Sequence, residues 1–160
     1  MRKLLLAGLI WAAGAFGQDW AKLEFVLGKW SGVAGEKETP LGAGQGGFSF
    51  ELDLEKKVMV RRNHAEYDKG VKHDDLMVIY WEGGPRAVYF DSEGHTIRYN
   101  LAFPGKDQVV FESDGTQPGP RYRLSYWMEK SVMKGKFEVA PPGAASEFTT
   151  YMSWGSEKRL

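Results

Sequence analysis

The amino-acid sequence predicts an all-β protein, a closed antiparallel up-and-down barrel of about ten strands with a short N-terminal helix. Three observations lead to this fold class. Beyond residue 28 apolar and polar residues alternate, glycine- and proline-rich breaks interrupt the alternation about every ten residues, and the intervals between strands are short. Short intervals join neighbouring antiparallel strands, and closure removes the two free edges of an open sheet. A two-sheet sandwich, the alternative, needs long crossover connections, for which 36–46 is the one candidate.

The first 17 residues have the layout of a secretory signal peptide. A basic start at Arg2 and Lys3 precedes an apolar run from 4 to 13, and the small residues Ala15 and Gly17 follow. The apolar run is roughly half of the ~20 residues that span a bilayer. We therefore expect 1–17 to be removed, leaving an exported, periplasmic or secreted, single barrel domain over 18–160 with no membrane span. A buried helix or a membrane anchor is the alternative.

Charge and cysteine content exclude several classes of function. After removal of 1–17, 19 basic residues stand against 21 acidic ones, with the two signs interspersed, so we expect no nucleic acid partner. The chain has no cysteine, which excludes disulfides, thiol catalysis, thiolate metal sites and lipid attachment through cysteine. Stability must therefore come from the core, for which six Trp, seven Tyr and nine Phe are available.

The predicted elements begin with a helix over 20–27, where apolar residues recur at helical spacing and Gly28 follows as a stop. Tight breaks such as Asp68-Lys69-Gly70 and Gly83-Gly84-Pro85 then separate the strands. The predicted strands are 29–35, 47–55, 57–67, 74–82, 86–92, 95–103, 108–114, 120–129, 132–140 and 147–155.

Alternation also predicts which side chains face the barrel interior. Phe48, Phe50, Leu52 and Leu54 share one face of their strand, opposite Ser49, Glu51, Asp53 and Glu55, and the apolar set should point inward. The same parity places inside Ile97, Tyr99, Leu101 and Phe103; Tyr122, Leu124, Tyr126 and Met128; Met133, Phe137 and Val139; and Phe148, Thr150, Met152 and Trp154. Strand 74–82 is apolar on both faces and its parity stays open. A barrel of more than about eight strands is wide enough to leave a cavity.

The strand 57–67 carries polar residues on both faces, so either face brings an arginine into the barrel. One face holds Arg62 and His64, and the other holds Arg61 and Asn63. A buried arginine needs a partner, which can be Glu66, a tyrosine hydroxyl, solvent or a ligand head group. With Arg62 and His64 inside, a fixed cation and a group that titrates near neutrality would hold an oxygen-bearing head group. The predicted ligand-binding residues are Phe50, Arg62, His64, Tyr99, Tyr122, Tyr126 and Trp154.

Other motifs are interpreted as structural. The glycines of 42–47 match G-x-G-x-x-G, but they follow a loop and precede a strand, whereas a dinucleotide site needs a strand before and a helix after them. His73-Asp74-Asp75 and His95 with Asp91 and Glu93 fall at strand ends and turns, where we expect solvated side chains and no metal site. No serine lies in G-x-S-x-G. We therefore predict no catalytic residues, no metal and no cofactor.

Two segments resemble lipocalin-like barrels. Leu23 to Gly32, which contains Gly28-Lys29-Trp30, is similar to their opening, in which a short helix runs into a Gly-x-Trp strand. Val88 to Gly94 resembles a strand and turn of bacterial, calycin-type barrel families of unknown function. Those families are related to nitrobindin-like barrels. The resemblance implies a ligand held inside a barrel, with Trp30 packed at the closed end under the helix. Nitrobindin-like barrels hold haem through a histidine near the C-terminal strands. This chain has histidine only at 64, 73 and 95, which counts against haem.

These inferences predict an exported binding protein that holds a small hydrophobic or amphipathic molecule inside the barrel. Two alternatives stay open. A barrel enzyme, either an isomerase or a haem-dependent one of nitrobindin-like type, would need a titratable pair inside the cavity. An envelope interaction protein would have a filled barrel and would function through its outer surface.

Overall fold

The computed structural model describes residues 19–33, 44–68, 70–116, 118–144 and 146–159, which form one closed barrel of ten antiparallel strands behind a short helix. The strands are β1 (Gly28–Val33), β2 (Gly44–Asp53), β3 (Val58–Tyr67), β4 (Lys72–Trp81), β5 (Pro85–Asp91), β6 (Thr96–Ala102), β7 (Gln108–Ser113), β8 (Arg121–Glu129), β9 (Val132–Ala140) and β10 (Thr149–Lys158). Each strand pairs with the next, and β1 also pairs with β10. The predicted fold class is confirmed, with every strand end within three residues of its expected position. The predicted signal peptide and residues 34–43, which hold most of the one segment long enough for a sandwich crossover, lie outside the described residues.

A 3₁₀ helix, Trp20–Val26, closes one end of the barrel. Leu23 and Val26 of this helix are fully buried in the core. The indole Nε1 of Trp20 donates to the carbonyl of Lys56 in the turn after β2, at 2.8 Å. Trp30 on β1 is buried beneath the helix and donates its indole N–H to the carbonyl of Val26, also at 2.8 Å, as the resemblance implied. Within the described residues no helix is long and apolar enough to cross a membrane.

Next to the helix the barrel interior is packed solid. Its side chains come from the inward faces of the strands and have no exposed area; they include Phe50, Met59, Met77, Ile79, Val109, Phe111, Tyr126 and Met133. Tyr126 on β8 joins these residues, with ring-centroid distances of 5.5 Å to Phe50 and 6.4 Å to Phe111. This aromatic layer separates the packed half of the barrel from the half near the opposite end. The inward set of β4 is therefore the one that contains Met77 and Ile79.

Three predicted inward positions lie outside the barrel. Leu54 is not in β2 but in the turn that follows, where it has a positive φ of 47° and is 67% exposed. On β10 the register shifts between Thr150 and Met152, which adds one residue and reverses the parity upstream. Phe148 consequently lies against the outward-facing guanidinium of Arg123, 3.7 Å from its ring centroid. The predicted inward positions of Phe148 and Thr150 are wrong for this reason, whereas Met152 and Trp154 do face inward.

Candidate functional site

The half of the barrel farther from the helix contains a cavity of about 620 Å³. Its wall combines apolar and aromatic side chains on several strands with a group of polar and charged side chains on β3, β4 and β5. The apolar and aromatic part includes Phe48, Ile97, Tyr99, Tyr122, Leu124, Phe137, Val139, Met152 and Trp154. Exposed residues such as Val71 and His95 also line the cavity, so it opens at this end of the barrel.

Five of the seven predicted ligand-binding residues face the interior. Tyr99, Tyr122 and Trp154 line the cavity itself. Phe50 and Tyr126 lie one layer deeper, in the packed core, where the Tyr126 ring contacts that of Trp154 at 5.8 Å. The structure therefore brings the predicted aromatic set to one region of the barrel.

Arg62 and His64 have their side chains on the outer face of β3, so the face that the sequence left undecided is resolved against these two predicted ligand-binding residues. Both side chains are exposed and line an open groove on the outer surface, and His64 also borders the cavity at its rim. The imidazole of His64 hydrogen-bonds there with Asp74, Nδ1 to Oδ1 at 2.6 Å, and this contact raises its pKa. The arginine that enters the barrel is Arg61, which has 4% of its area exposed.

The pairing of β2 with β3 explains this choice of face. Residues directly opposite each other in an antiparallel pair lie on the same side of the sheet. Arg61 is opposite Phe50, and Asn63 is opposite Phe48, so both point inward with the phenylalanines. The register is fixed by the four-residue turn from Leu54 to Lys57, which makes Asp53 the partner of Val58.

Arg61 forms an ion pair with Asp75 of β4 inside the barrel. Asn63 Nδ2 donates to the second carboxylate oxygen of Asp75 at 2.9 Å. The Arg61 guanidinium also lies near the Phe48 and Tyr126 rings, with its central carbon 5.6 and 5.9 Å from their centroids. Burial opposes the ionisation of Asp75, but Arg61, His73 and Asn63 outweigh it and lower its pKa. The pair is therefore ionised at neutral pH.

His73 extends this network to the mouth of the cavity. Its Nε2 lies 3.0 Å from the Tyr89 hydroxyl and 3.3 Å from Asp75 Oδ2, while its Nδ1 lies 2.9 Å from Glu93 Oε2. The hydrogen bond with Asp75 and the contact with Glu93 outweigh burial and raise the pKa of His73 to about 9. His73 is consequently an imidazolium at neutral pH.

Asp91, at the end of β5, is also in the wall of the cavity, with its side chain 5% exposed. Its Oδ1 accepts the backbone N–H groups of Glu93 and His95, and its Oδ2 lies 2.8 Å from His95 Nδ1. Burial opposes ionisation, but these hydrogen bonds lower the pKa of Asp91. The sequence-based expectation that the polar residues of this region are solvated is therefore wrong for His73, Asp75 and Asp91.

Three buried polar atoms of the described residues lack a hydrogen-bond partner, and two of them, Arg61 Nε and the Tyr126 hydroxyl, lie near the ion pair. Among the described residues, Arg61 Nε, the Tyr126 hydroxyl and Ser156 Oγ are buried without a hydrogen-bond partner. Such atoms are rare in folded proteins because each one loses its hydrogen bonds to water. Arg61 also lines the cavity, but its Nε has almost no accessible area, so a bound molecule would reach this N–H only after neighbouring side chains shift.

Sequence reasoning missed Arg61, Asn63, His73, Asp75 and Tyr89 as cavity residues. The signal that could have found them is cross-strand register rather than alternation within one strand. Met77 is opposite Tyr89, and Asn63 is opposite Asp75, so one choice of parity on β3 fixes the inward face of β4 and β5.

Together, the fold and the site define a closed ten-stranded antiparallel barrel with a helix at one end, a cavity at the other, and a buried charge network in the half that holds the cavity. Comparison of the chain with models of protein families gives no match, and a search among curated proteins gives none either.

Proposed function

We propose that this protein is an exported binding protein that holds one small amphipathic molecule in the open half of its barrel. The observation that carries the proposal is the cavity of about 620 Å³. Small-molecule sites are clefts of roughly 300–1,000 Å³, mostly apolar, with a few polar groups that fix the orientation of the ligand. The cavity wall has this composition, because the aromatic and aliphatic side chains cover most of it and the charged network occupies one side.

The apolar part of the ligand would lie against the wall formed by β6, β8, β9 and β10. Tyr99, Leu124 and Phe137 supply flat or branched apolar surface there, and Trp154 adds the largest ring. Burying apolar surface contributes about 25 cal/mol per Å². The wall therefore provides the free energy of binding, whereas the polar side provides orientation.

The polar end of the ligand would meet Arg61. Its Nε–H has no acceptor among the described residues, so an oxygen atom of the ligand would satisfy it. The charges of the wall favour a neutral acceptor, such as a carbonyl or hydroxyl oxygen. In the interior network, the three carboxylates of Asp75, Asp91 and Glu93 face two cations, Arg61 and the protonated His73, while His64 and His95 lie at the exposed rim. A ligand carboxylate would enter a region that already has an excess of negative charge.

The test fills the cavity. Ala65 lines it, and Ala65→Trp adds a large ring there without removing a contact. Ala102→Trp is the matched control, because Ala102 is exposed and lies next to the inward-facing Leu101. We expect the neutral fluorophore Nile red to bind the wild type and Ala102→Trp equally, and Ala65→Trp at least about tenfold more weakly. Equal binding to all three proteins would contradict the proposal.

Catalysis at the same cavity has one feature in its favour, the titratable pair His73 and Asp75. Both ring nitrogens of His73 already have partners, with Nδ1 facing Glu93 and Nε2 facing Tyr89 and Asp75. A general acid or base acts within hydrogen-bond reach of its substrate, so catalysis by His73 would first require one of these contacts to open. Binding is therefore the better-supported function.

A barrel filled along its whole length, which the envelope alternative required, does not agree with the cavity.

Export and family relationship remain parts of the proposal. Export is supported by the basic start, the short apolar run and the small residues before Gln18. N-terminal sequencing of the protein from the extracytoplasmic fraction should start near Gln18, and an intact Met1 chain in the membrane would contradict export. A relationship to lipocalin-like and nitrobindin-like barrels is supported by the strand order and by the position of Trp30 under the helix.

A further inference from the structure

Three metal-ligating side chains from two strands and a turn converge at the mouth of the cavity. His73 is on β4, Asp91 ends β5, and Glu93 is in the turn after β5. Each offers one donor atom, and the three atoms lie within 4.8 Å of one another. All three residues line the cavity.

The spacing of these donors fits a small divalent ion. His73 Nδ1 lies 2.9 Å from Glu93 Oε2 and 3.1 Å from Oε1. Two donors that are each about 2.1 Å from an ion are about 3 Å apart at right angles and about 3.4 Å apart at the tetrahedral angle that Zn²⁺ prefers, so these donors are within a few tenths of an ångström of either spacing. An ion would thus replace the proton between His73 and Glu93, with small shifts of the two carboxylates, since the three donor atoms lie within 4.8 Å of one another.

An interaction outside the three residues orients the histidine as a ligand. His73 Nε2 faces Asp75 Oδ2 at 3.3 Å, and Asp75 is itself fixed by its ion pair with Arg61. Metal-binding histidines almost always direct the second ring N–H to a carboxylate, carbonyl or water in this way. The arrangement leaves Nδ1 as the coordinating atom, on the side of Glu93 and Asp91.

We infer that His73, Asp91 and Glu93 form a binding site for a divalent transition-metal ion at the mouth of the cavity. One imidazole nitrogen with two carboxylates is a donor set for Zn²⁺ or a similar ion, because Mg²⁺ and Ca²⁺ prefer oxygen donors alone. Since the three residues line the cavity, the remaining coordination positions would open towards it. The inference does not depend on the amphipathic ligand, and it differs from the expectation from sequence that the protein has no metal site.

The test is titration of the full chain, stripped with a chelator, with Zn²⁺ in a calorimeter, and with Mg²⁺ for comparison. We expect one Zn²⁺ per chain and much weaker binding of Mg²⁺. Glu93→Gln should weaken Zn²⁺ binding about tenfold or more. This variant is the cleanest one, because the side chain of Glu93 contacts His73 while Asp91 also holds the turn together. Equal melting temperatures will verify that the variant is folded.

Two control variants distinguish this site from adventitious binding at the surface. Asp74→Asn removes a carboxylate next to His73 that points outward, and His64→Asn removes an exposed imidazole with acidic neighbours. Both should bind Zn²⁺ as the wild type does. Absence of one-to-one binding, unchanged affinity in folded Glu93→Gln, or loss of binding in His64→Asn would each overturn the inference.

Discussion

Arg61 and Asp75 form an ion pair inside the barrel, with side chains only 5% and 4% exposed. Removing one partner of such a pair leaves a buried charge without compensation, which destabilises a protein by about 3–5 kcal/mol. We therefore expect Asp75→Asn to lower the free energy of unfolding by about that amount, measured by urea denaturation at neutral pH.

The exposed pair on the opposite face of the same two strands is the control. Glu66 and Lys72 are 3.0 Å apart, but both are substantially exposed. Glu66→Gln should change the free energy of unfolding by less than about 1 kcal/mol. A similar loss in both variants would mean that the Arg61–Asp75 pair is not a special contributor.

The two ion pairs lie on opposite faces of β3 and β4, and the sequence predicts the strands of the barrel better than it predicts which of these faces points inward. Alternation predicts the ten strands, and it predicts the inward faces of β6 and β8 because polar residues there occupy mainly one face. It cannot orient β3, where Arg61 and Arg62 are adjacent and each face carries a polar side chain. Which face of β3 points inward depends on the length of the turn after Asp53. The predicted strand 47–55 runs into this turn and therefore hides its length.

Beyond β3, the charged network depends on several strands at once. His73 and Asp75 sit on a strand that is apolar on both faces further along, so its own pattern cannot orient them. They face inward because Met77 and Ile79 fill the core. A bulge also limits the prediction on β10. Alternation from Trp154 predicts that Thr150 faces inward, but one extra residue lies between Thr150 and Met152, so Thr150 faces outward.

Ligand binding should depend on Arg61 and not on Arg62. Arg61→Lys keeps the positive charge beside Asp75 but removes the Nε–H that lacks an acceptor. We expect this variant to weaken binding of a neutral amphiphile that has a carbonyl group by about 1.5–3 kcal/mol, the range for a hydrogen bond to a charged group. Fluorescence titration measures the change.

Arg62→Lys makes the same replacement on the exposed face and should leave the affinity unchanged. The opposite result, in which Arg62→Lys weakens binding and Arg61→Lys does not, would move the ligand to the groove on the outer surface.

Tyr126 should limit stability at neutral pH. Its hydroxyl is fully buried beside the Arg61 guanidinium but forms no hydrogen bond of good geometry with the described residues. Removing an unsatisfied buried polar group avoids a desolvation penalty of about 1–3 kcal/mol. We therefore expect Tyr126→Phe to raise the free energy of unfolding, whereas Tyr89→Phe, which removes a 3.0 Å hydrogen bond to His73, should lower it. Chemical denaturation compares them, and a loss in Tyr126→Phe would indicate a bound water or ligand at that hydroxyl.

The buried phenol of Tyr126 should also make the free energy of unfolding depend on pH in the alkaline range. Burial raises the pKa of its phenol from 10.0 to about 12. Between those values the unfolded chain releases the proton while the folded chain keeps it, so stability falls as pH rises through this window. Tyr126→Phe should show a shallower decline than the wild type in melts at successive pH values. Identical slopes would mean that the pKa of Tyr126 is not raised.

Gly135 on β9 and Trp154 on β10 are direct cross-strand partners, and the indole ring lies against the glycine. A Cβ atom at Gly135 would overlap the indole ring of Trp154, so the ring can lie flat over this strand only because residue 135 has no side chain. Gly135→Ala must push the indole into the cavity or displace the strand, and overpacking of this kind destabilises a protein by about 1–3 kcal/mol.

Gly155→Ala is the matched substitution on the adjacent outward position, where the nearest atom, Val132 Cγ1, would be 3.4 Å from the new Cβ. We expect it to change stability by less than about 0.5 kcal/mol. Because Trp154 lines the cavity, Gly135→Ala should also alter Nile red binding, while Gly155→Ala should not. If Gly135→Ala leaves both stability and binding unchanged, Trp154 does not lie over β9, and the cavity wall on that side is formed differently.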